Sequence, residues 1–227
     1  MTSKQSMNFQ YGDRELWLGT MDILTAPVDA IVSPNNQDLL IKDGLAAQIL
    51  GKAGEQLQKD CQQLIAEHGA LESGMAVFTE AGQLPYKAVI HAVASPIGDG
   101  DEQKIIELAV SRSLQLCEIN EWRSIAFPAI GTGEFRIPVE ISAQALFKSI
   151  LSFWDARHEC TLEKVMICLT EENLQPFFTA FRNESTIPED DSCPPSVDDD
   201  QEHVGFIELS DEETSGLEDD VNKDWFV

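Results

Sequence analysis

A chain of 227 residues that is 43% hydrophobic has material for one sizeable buried core and some chain beyond it. Its formal net charge of -25 comes from 40 acidic against 15 basic side chains, a balance that excludes nucleic-acid backbones as partners because these require clustered cations. The charge is unevenly spread: residues 184–227 hold 16 acids against Lys223 alone, leaving 24 acids and 14 basic residues upstream. Five cysteines (61, 117, 160, 168 and 193) form neither a CxxC pair nor a metal-type spacing with histidine, so reduced thiols are expected, with no metal and no cofactor. No apolar run follows Met1 and none approaches the ~20 residues of a membrane span. The expectation is an intracellular protein, cytoplasmic or nuclear, with no membrane partner.

In chain order, residues 15–19 and 28–33 read as strands and residues 43–51 and 55–68 as helices. The second helix places Leu57, Cys61, Leu64 and Ile65 at helical spacing. Strands are expected at 75–79 and 87–94, separated by a loop with Gly and Pro punctuation. Residues 102–119 form an amphipathic helix whose apolar face is read as Ile105, Leu108, Ala109, Leu116 and Ile119, with Arg112 out of place among them. A strand at 124–130 leads to a helix at 139–154 with Pro138 at its start. A strand at 164–169 and a helix at 172–181 complete the set. Strands alternating with helices give a three-layer α/β/α fold around a mixed, largely parallel sheet, whose ligands bind beyond the carboxyl ends of the strands.

Two loops at such strand ends carry chemistry. Gly131-Thr132-Gly133 follows an apolar strand and precedes a helix; its glycines admit a close ligand, and the turn can aim main-chain N–H groups at an anion. Two glycines in a strand-to-helix turn are also ordinary, and neither a GxGxxG nor a Walker pattern is present. The other loop, Ser33-Pro34-Asn35-Asn36, supplies carboxamides that serve either Asx turns or a sugar diol. Asp22 serves either as a cap or as an acceptor. His91, inside an apolar strand, reads as packing, as do Cys117, Cys168, Trp122 and Trp154.

Taken together, Asp22-Ile23, Val28-Asp29-Ala30-Ile31-Val32, Asn36, Gly44-Leu45-Ala46-Ala47 and Gly54 resemble the macrodomain pattern in order and spacing. Gly74, Leu84-Pro85, Ile90-His91-Ala92-Val93 and Ile125 through Gly133 continue it, so the resemblance covers nearly all of residues 8–182. It implies an ADP-ribose-binding module, with free ADP-ribose or an ADP-ribosylated protein as partner. By the same resemblance, Asp22 accepts from the adenine amine beside the Ile23 main chain, and Asn36 meets the distal ribose. Main-chain N–H groups of Gly44, Leu45 and Ala46, and of Gly131, Thr132, Gly133, Glu134 and Phe135, hold the diphosphate. Phe135 also flanks the distal ribose.

The sequence departs from the hydrolytic members of that family. Ser33-Pro34-Asn35-Asn36 stands where they read Asn-Ala-Ala-Asn, and Ala46 replaces their usual acid, leaving no carboxylate there to activate water. Recognition of ADP-ribose is therefore expected ahead of hydrolysis by non-standard residues, with a non-binding scaffold as the third alternative. The domain is placed at residues 1–183 and a disordered acidic tail at 184–227. Within the tail, Phe206-Ile207-Glu208-Leu209 followed by Ser210-Asp211-Glu212-Glu213 resembles a SUMO-interacting motif, in which a short apolar strand joins a sheet edge.

Overall fold

The structure is a computed structural model that describes residues 6–184 except positions 97, 99 and 158. The acidic segment with its SUMO-type motif lies outside the described residues. Seven strands form one sheet: β1 (Ser6–Tyr11), β2 (Arg14–Thr20), β3 (Ala30–Asn35), β4 (Ala76–Thr79), β5 (Ala88–Val93), β6 (Ser124–Phe127) and β7 (Lys164–Leu169). Their spatial order is β1-β2-β7-β6-β3-β5-β4. The five central strands run parallel, and an antiparallel strand closes each edge, β1 on β2 and β4 on β5.

Five helices cover the sheet: α1 (Gly44–Ala53), α2 (Glu55–His68), α3 (Glu102–Ile119), α4 (Val139–Ala156) and α5 (Glu171–Glu184). The pleat decides which residue meets which layer. On β3, Ala30 and Val32 join the large cluster built by α3, α4 and α5, whereas Ile31 between them joins the cluster around Ile49, Ala53 and Leu57 of α1 and α2. Because both faces are covered, the central strands read as continuous apolar runs; all six residues of β5 are buried.

Several expected elements move. β1 is an element the sequence reading omitted; its Met7, Phe9 and Tyr11 are half-buried while Ser6, Asn8 and Gln10 are exposed. β3 begins and ends two residues later than expected, carrying Pro34 and Asn35 to the sheet's upper edge. β6 stops at Phe127 rather than residue 130. On α3 the buried face is rotated from the one expected: Ile106, Ala109, Val110, Leu114 and Cys117 are buried, while Ile119 is 54% exposed. Trp122 meets Phe78 edge-on at 5.3 Å and Trp154 stacks on Tyr11 at 5.9 Å, so both tryptophans serve packing.

His91 sits on β5 with no exposed surface. Its Nδ1 lies 3.2 Å from Asn35 Oδ1, and its Nε2 lies 3.0 Å from Thr79 Oγ1 and 3.7 Å from Cys61 Sγ. Burial pushes its pKa from 6.5 down to about 4, so it is neutral in the folded state at pH 7. The unfolded chain takes up the proton near pH 6.5 and the folded chain only near pH 4, so the imidazole leaves stability unchanged above pH 6.5. Stability is lost as the pH falls through that window, by about 3 kcal/mol at its lower end. Urea unfolding of wild type and His91→Gln at pH 7.5 and pH 4.5 checks this: the variant should lose less stability between the two, and equal losses would refute the assignment.

Candidate ligand-binding site

A cavity opens where the sheet divides. β3 pairs with β6 at only two positions, Ala30↔Ile125 and Ile31↔Ala126, after which the strands part. The chain leaving β3 goes to α1 on one face, and the chain leaving β6 goes to α4 on the other. Connections that diverge in this way leave a crevice at the carboxyl edge of a parallel sheet. Here it is a cavity of about 380 Å³ reached by the ends of β2, β7, β6 and β3. Three strand spacings separate β2 from β3, which makes the crevice about 14 Å across at that edge.

All eleven residues singled out from the sequence line it: Asp22, Ile23, Asn36, Gly44, Leu45, Ala46, Gly131, Thr132, Gly133, Glu134 and Phe135. Asp22 is exposed at the β2 end and caps a single 3-10 turn (Ile23–Thr25) through Leu24 N–H, which donates to its Oδ1 at 3.0 Å. The carboxylate is thus oriented by its own turn. Asn36 has both ends of its carboxamide on one main-chain unit: Leu40 N–H donates to Oδ1 at 2.9 Å and Nδ2 donates to Leu40 O at 3.1 Å. These bonds clamp the loop that delivers α1, within which Leu39 takes a left-handed φ of 49°.

Two stretches of the lining carry main-chain N–H groups without an acceptor among the described residues. α1 begins at Gly44 behind Asp43, whose side chain makes no cap bond, and no acid occupies the helix's first turn. The N–H groups of Gly44, Leu45 and Ala46 therefore have no acceptor among the described residues, as expected at an uncapped helix start. Those of Gly133, Glu134 and Phe135 likewise make no hydrogen bond among the described residues. Their loop is fixed from beneath: Thr132 Oγ1 donates to Ala129 O at 2.9 Å, and Ile137 N–H donates to Gly131 O at 3.0 Å. Six unbonded donors on residues that line one cavity suit an anion with many oxygens.

Asn35, read from the sequence as one of the loop's carboxamides, also lines the cavity, and Lys42, Asp43, Gln48, Thr170 and Asn173, which the sequence reading did not single out for the site, complete the polar lining. Thr170 and Asn173 arrive from the end of β7 and the start of α5, a loop with no glycine and no motif to mark it. Cys168 is buried in the core cluster of α1 and α2, as read, and also lines the cavity. Burial, with Asp22 nearby, pushes its thiol up to about 12, so it presents a neutral S–H.

The two glycines of the β6–α4 loop differ physically. Gly131 has φ of 81°, and a Cβ there would lie 2.6 Å from Ile137 Cδ1; a Cβ on Gly133 would meet nothing within 4 Å. Gly131→Ala should therefore cost about 1–3 kcal/mol, and Gly133→Ala no more than about 0.5 kcal/mol. Thermal unfolding of the two variants tests the difference, and equal shifts would contradict the loop geometry.

The sequence profile of the Macro domain family matches residues 32–146. The human protein mono-ADP-ribosyltransferase PARP14 is 34% identical over 184 residues, which is 78% of this chain but only 10% of that protein. The O-acetyl-ADP-ribose deacetylase of Citrobacter koseri is 38% identical over 154 residues, covering 66% of this chain and 86% of the enzyme. Among solved structures, the Oceanobacillus iheyensis macrodomain with ADP superposes with a TM-score of 0.73 at 24% identity, over 81% of this chain and 98% of that one. This last likeness is one of fold.

Proposed function

Because the chain belongs to the macrodomain family, we propose that it binds ADP-ribose, free or attached to protein, in the crevice between β3 and β6. The observation that carries the reading is the two sets of unbonded main-chain donors that line one cavity, Gly44 to Ala46 and Gly133 to Phe135. A diphosphate between them meets N–H groups from both sets and the positive end of the α1 dipole. The adenine then lies toward Asp22, whose Oδ1 is committed to the turn and whose carboxylate accepts from the exocyclic amine. The distal ribose lies toward β3 and Phe135, among Asn35, Asn36 and the start of α1. With both ends of the Asn36 carboxamide on Leu40, its service to the ribose is to hold the loop, and a direct contact would require exchanging one of those bonds.

Calorimetry on the full chain tests the reading. Wild type should bind ADP-ribose. Gly133→Glu should abolish binding without shifting the melting temperature, because the position is open but the added carboxylate enters the diphosphate site. Asp22→Asn retains an oxygen for Leu24 N–H and removes the charge, and should weaken binding about tenfold or more. A folded wild type that gives no binding signal would end the proposal.

The likeness to O-acetyl-ADP-ribose deacetylases supports a second reading, hydrolysis of an ADP-ribose ester. Against it stands Ala46, an apolar group on the first turn of α1 with 8% of its surface exposed, which can neither take a proton nor orient water. Incubation with O-acetyl-ADP-ribose should yield no acetate above the uncatalysed background. Multiple turnovers by wild type would reverse the order of the two readings.

A further inference from the structure

The charges around the crevice bear on which form of ADP-ribose it takes, an inference that rests on the binding proposed above. Inside, the donors are main-chain groups, and two sets of three suit one diphosphate. At the mouth the charged lining is Asp22, Asp43 and Glu134 against Lys42, all exposed. The next exposed charges on the contributing loops are Arg136 after Phe135, and Glu171 and Glu172 directly after Thr170. Acids therefore outnumber cations around the opening.

Elsewhere five basic residues are engaged with acids of the same fold. Lys87 pairs with Asp29, Arg123 with Glu163, Lys148 with Glu107, Arg157 with Glu118 and Lys164 with Glu15. Residues 1–183 carry 24 acids against 14 basic residues. A polymer of ADP-ribose adds a further diphosphate with every unit. Each added diphosphate would lie outside the two donor sets, over a rim and a surface of its own sign.

We infer that the crevice is specific for a single ADP-ribose unit, as a free molecule or a lone modification on a protein, and disfavours chains of ADP-ribose through the acidic rim. The inside of the site supplies affinity for one diphosphate, and the outside penalises the second.

The test is displacement of a fluorescent ADP-ribose from the full-length chain by ADP-ribose or by oligo-ADP-ribose of defined length, with concentrations counted by chain terminus. At about 50 mM salt, the oligomer should compete about fivefold more weakly, the factor that one exposed like-charge contact is worth. At about 500 mM salt, where charge is screened beyond a few ångströms, the two competitors should converge. Replacing Glu171 and Glu172 by Gln should narrow the low-salt gap by about twofold. An oligomer that competes equally or better at low salt overturns the inference, as does a gap that neither salt nor the Gln variant changes. If the fluorescent ADP-ribose does not bind wild type, the binding proposal fails first and takes this inference with it. Binding with no discrimination removes only the inference.

Discussion

The site depends on the separation of β3 from β6 after two paired residues. A parallel sheet must satisfy the main-chain groups of each strand through its neighbours, and the ladder between these two strands runs only from Ala30↔Ile125 to Ile31↔Ala126. Beyond it, β3 keeps its pairing with β5 as far as Asn35↔Val93, and β7 continues beside β2 to Thr20↔Leu169. The strand between β7 and β3 therefore ends early while its neighbours run on. The gap beyond Phe127 is bordered by the loop from Pro128 to Pro138. If β6 continued to residue 130 as the sequence suggested, Pro128 and Ala129 would lie in the ladder rather than line the cavity. A three-residue difference in strand length thus separates a crevice from a closed sheet.

That separation divides the work between main chain and side chains. The side chains of the crevice mostly hold loops in place. Asp22 caps its own turn, Asn36 clamps Leu40, Thr132 ties back to Ala129, and His91 beneath the floor is bonded to Asn35. Donors presented to a ligand are main-chain N–H groups left over at the start of α1 and in the β6–α4 loop. This explains how a chain with formal charge -25 offers a site to a dianion at all. Peptide dipoles cannot be titrated and their donors are oriented before the ligand arrives, so little reorganisation is needed on binding. The two loops that carry these donors include left-handed backbone at Leu39, Gly44, Gly131 and Arg136. Such conformations turn successive N–H groups to one side, and the packing beneath holds them there.

Much of this was legible in the sequence, for identifiable reasons. The five central strands, the helices and the two glycine-bearing loops each leave a pattern in residue order, and every residue singled out for the site lines the crevice. Three features were misread. β1 has a period-two alternation from Ser6 to Tyr11, but it is only half-buried, and a polar edge strand resembles an irregular terminus. The face of α3 was right at the buried Ala109 and Leu116 but otherwise misassigned, because Ile105, Leu108 and Ile119 fit helical spacing as well as the buried Ile106, Val110 and Leu114 do. Only packing against α4 and the sheet decides between registers one residue apart. The end of β6 moved because apolar residues at 128–130 continue the strand composition past the point where pairing stops. Thr170 and Asn173 were not foreseen because nothing local marks them; they enter the site because β7 lies between β2 and β6, a property of strand order alone.

The same division of roles limits what the crevice can do chemically. A site whose donors are N–H groups stabilises negative charge but cannot take a proton from water. A hydrolytic reaction needs at least one group within reach that can accept a proton or orient a nucleophile. Of the titratable side chains in the lining, Cys168 is held neutral by burial, and Asp22 has an oxygen bound to Leu24 N–H at the far end from α1. Asp43 and Glu134 are exposed at the mouth, where water surrounds them. On the first turn of α1, Ala46 lines the cavity beside the unbonded N–H groups of that turn. An acid there would sit at the positive end of the helix, ionised and ready to act as a base, but it would also compete with the diphosphate for the same donors. A methyl group leaves those donors unoccupied, so under the proposed binding the residue that removes the base from this crevice is also one that favours retention of ADP-ribose over its turnover.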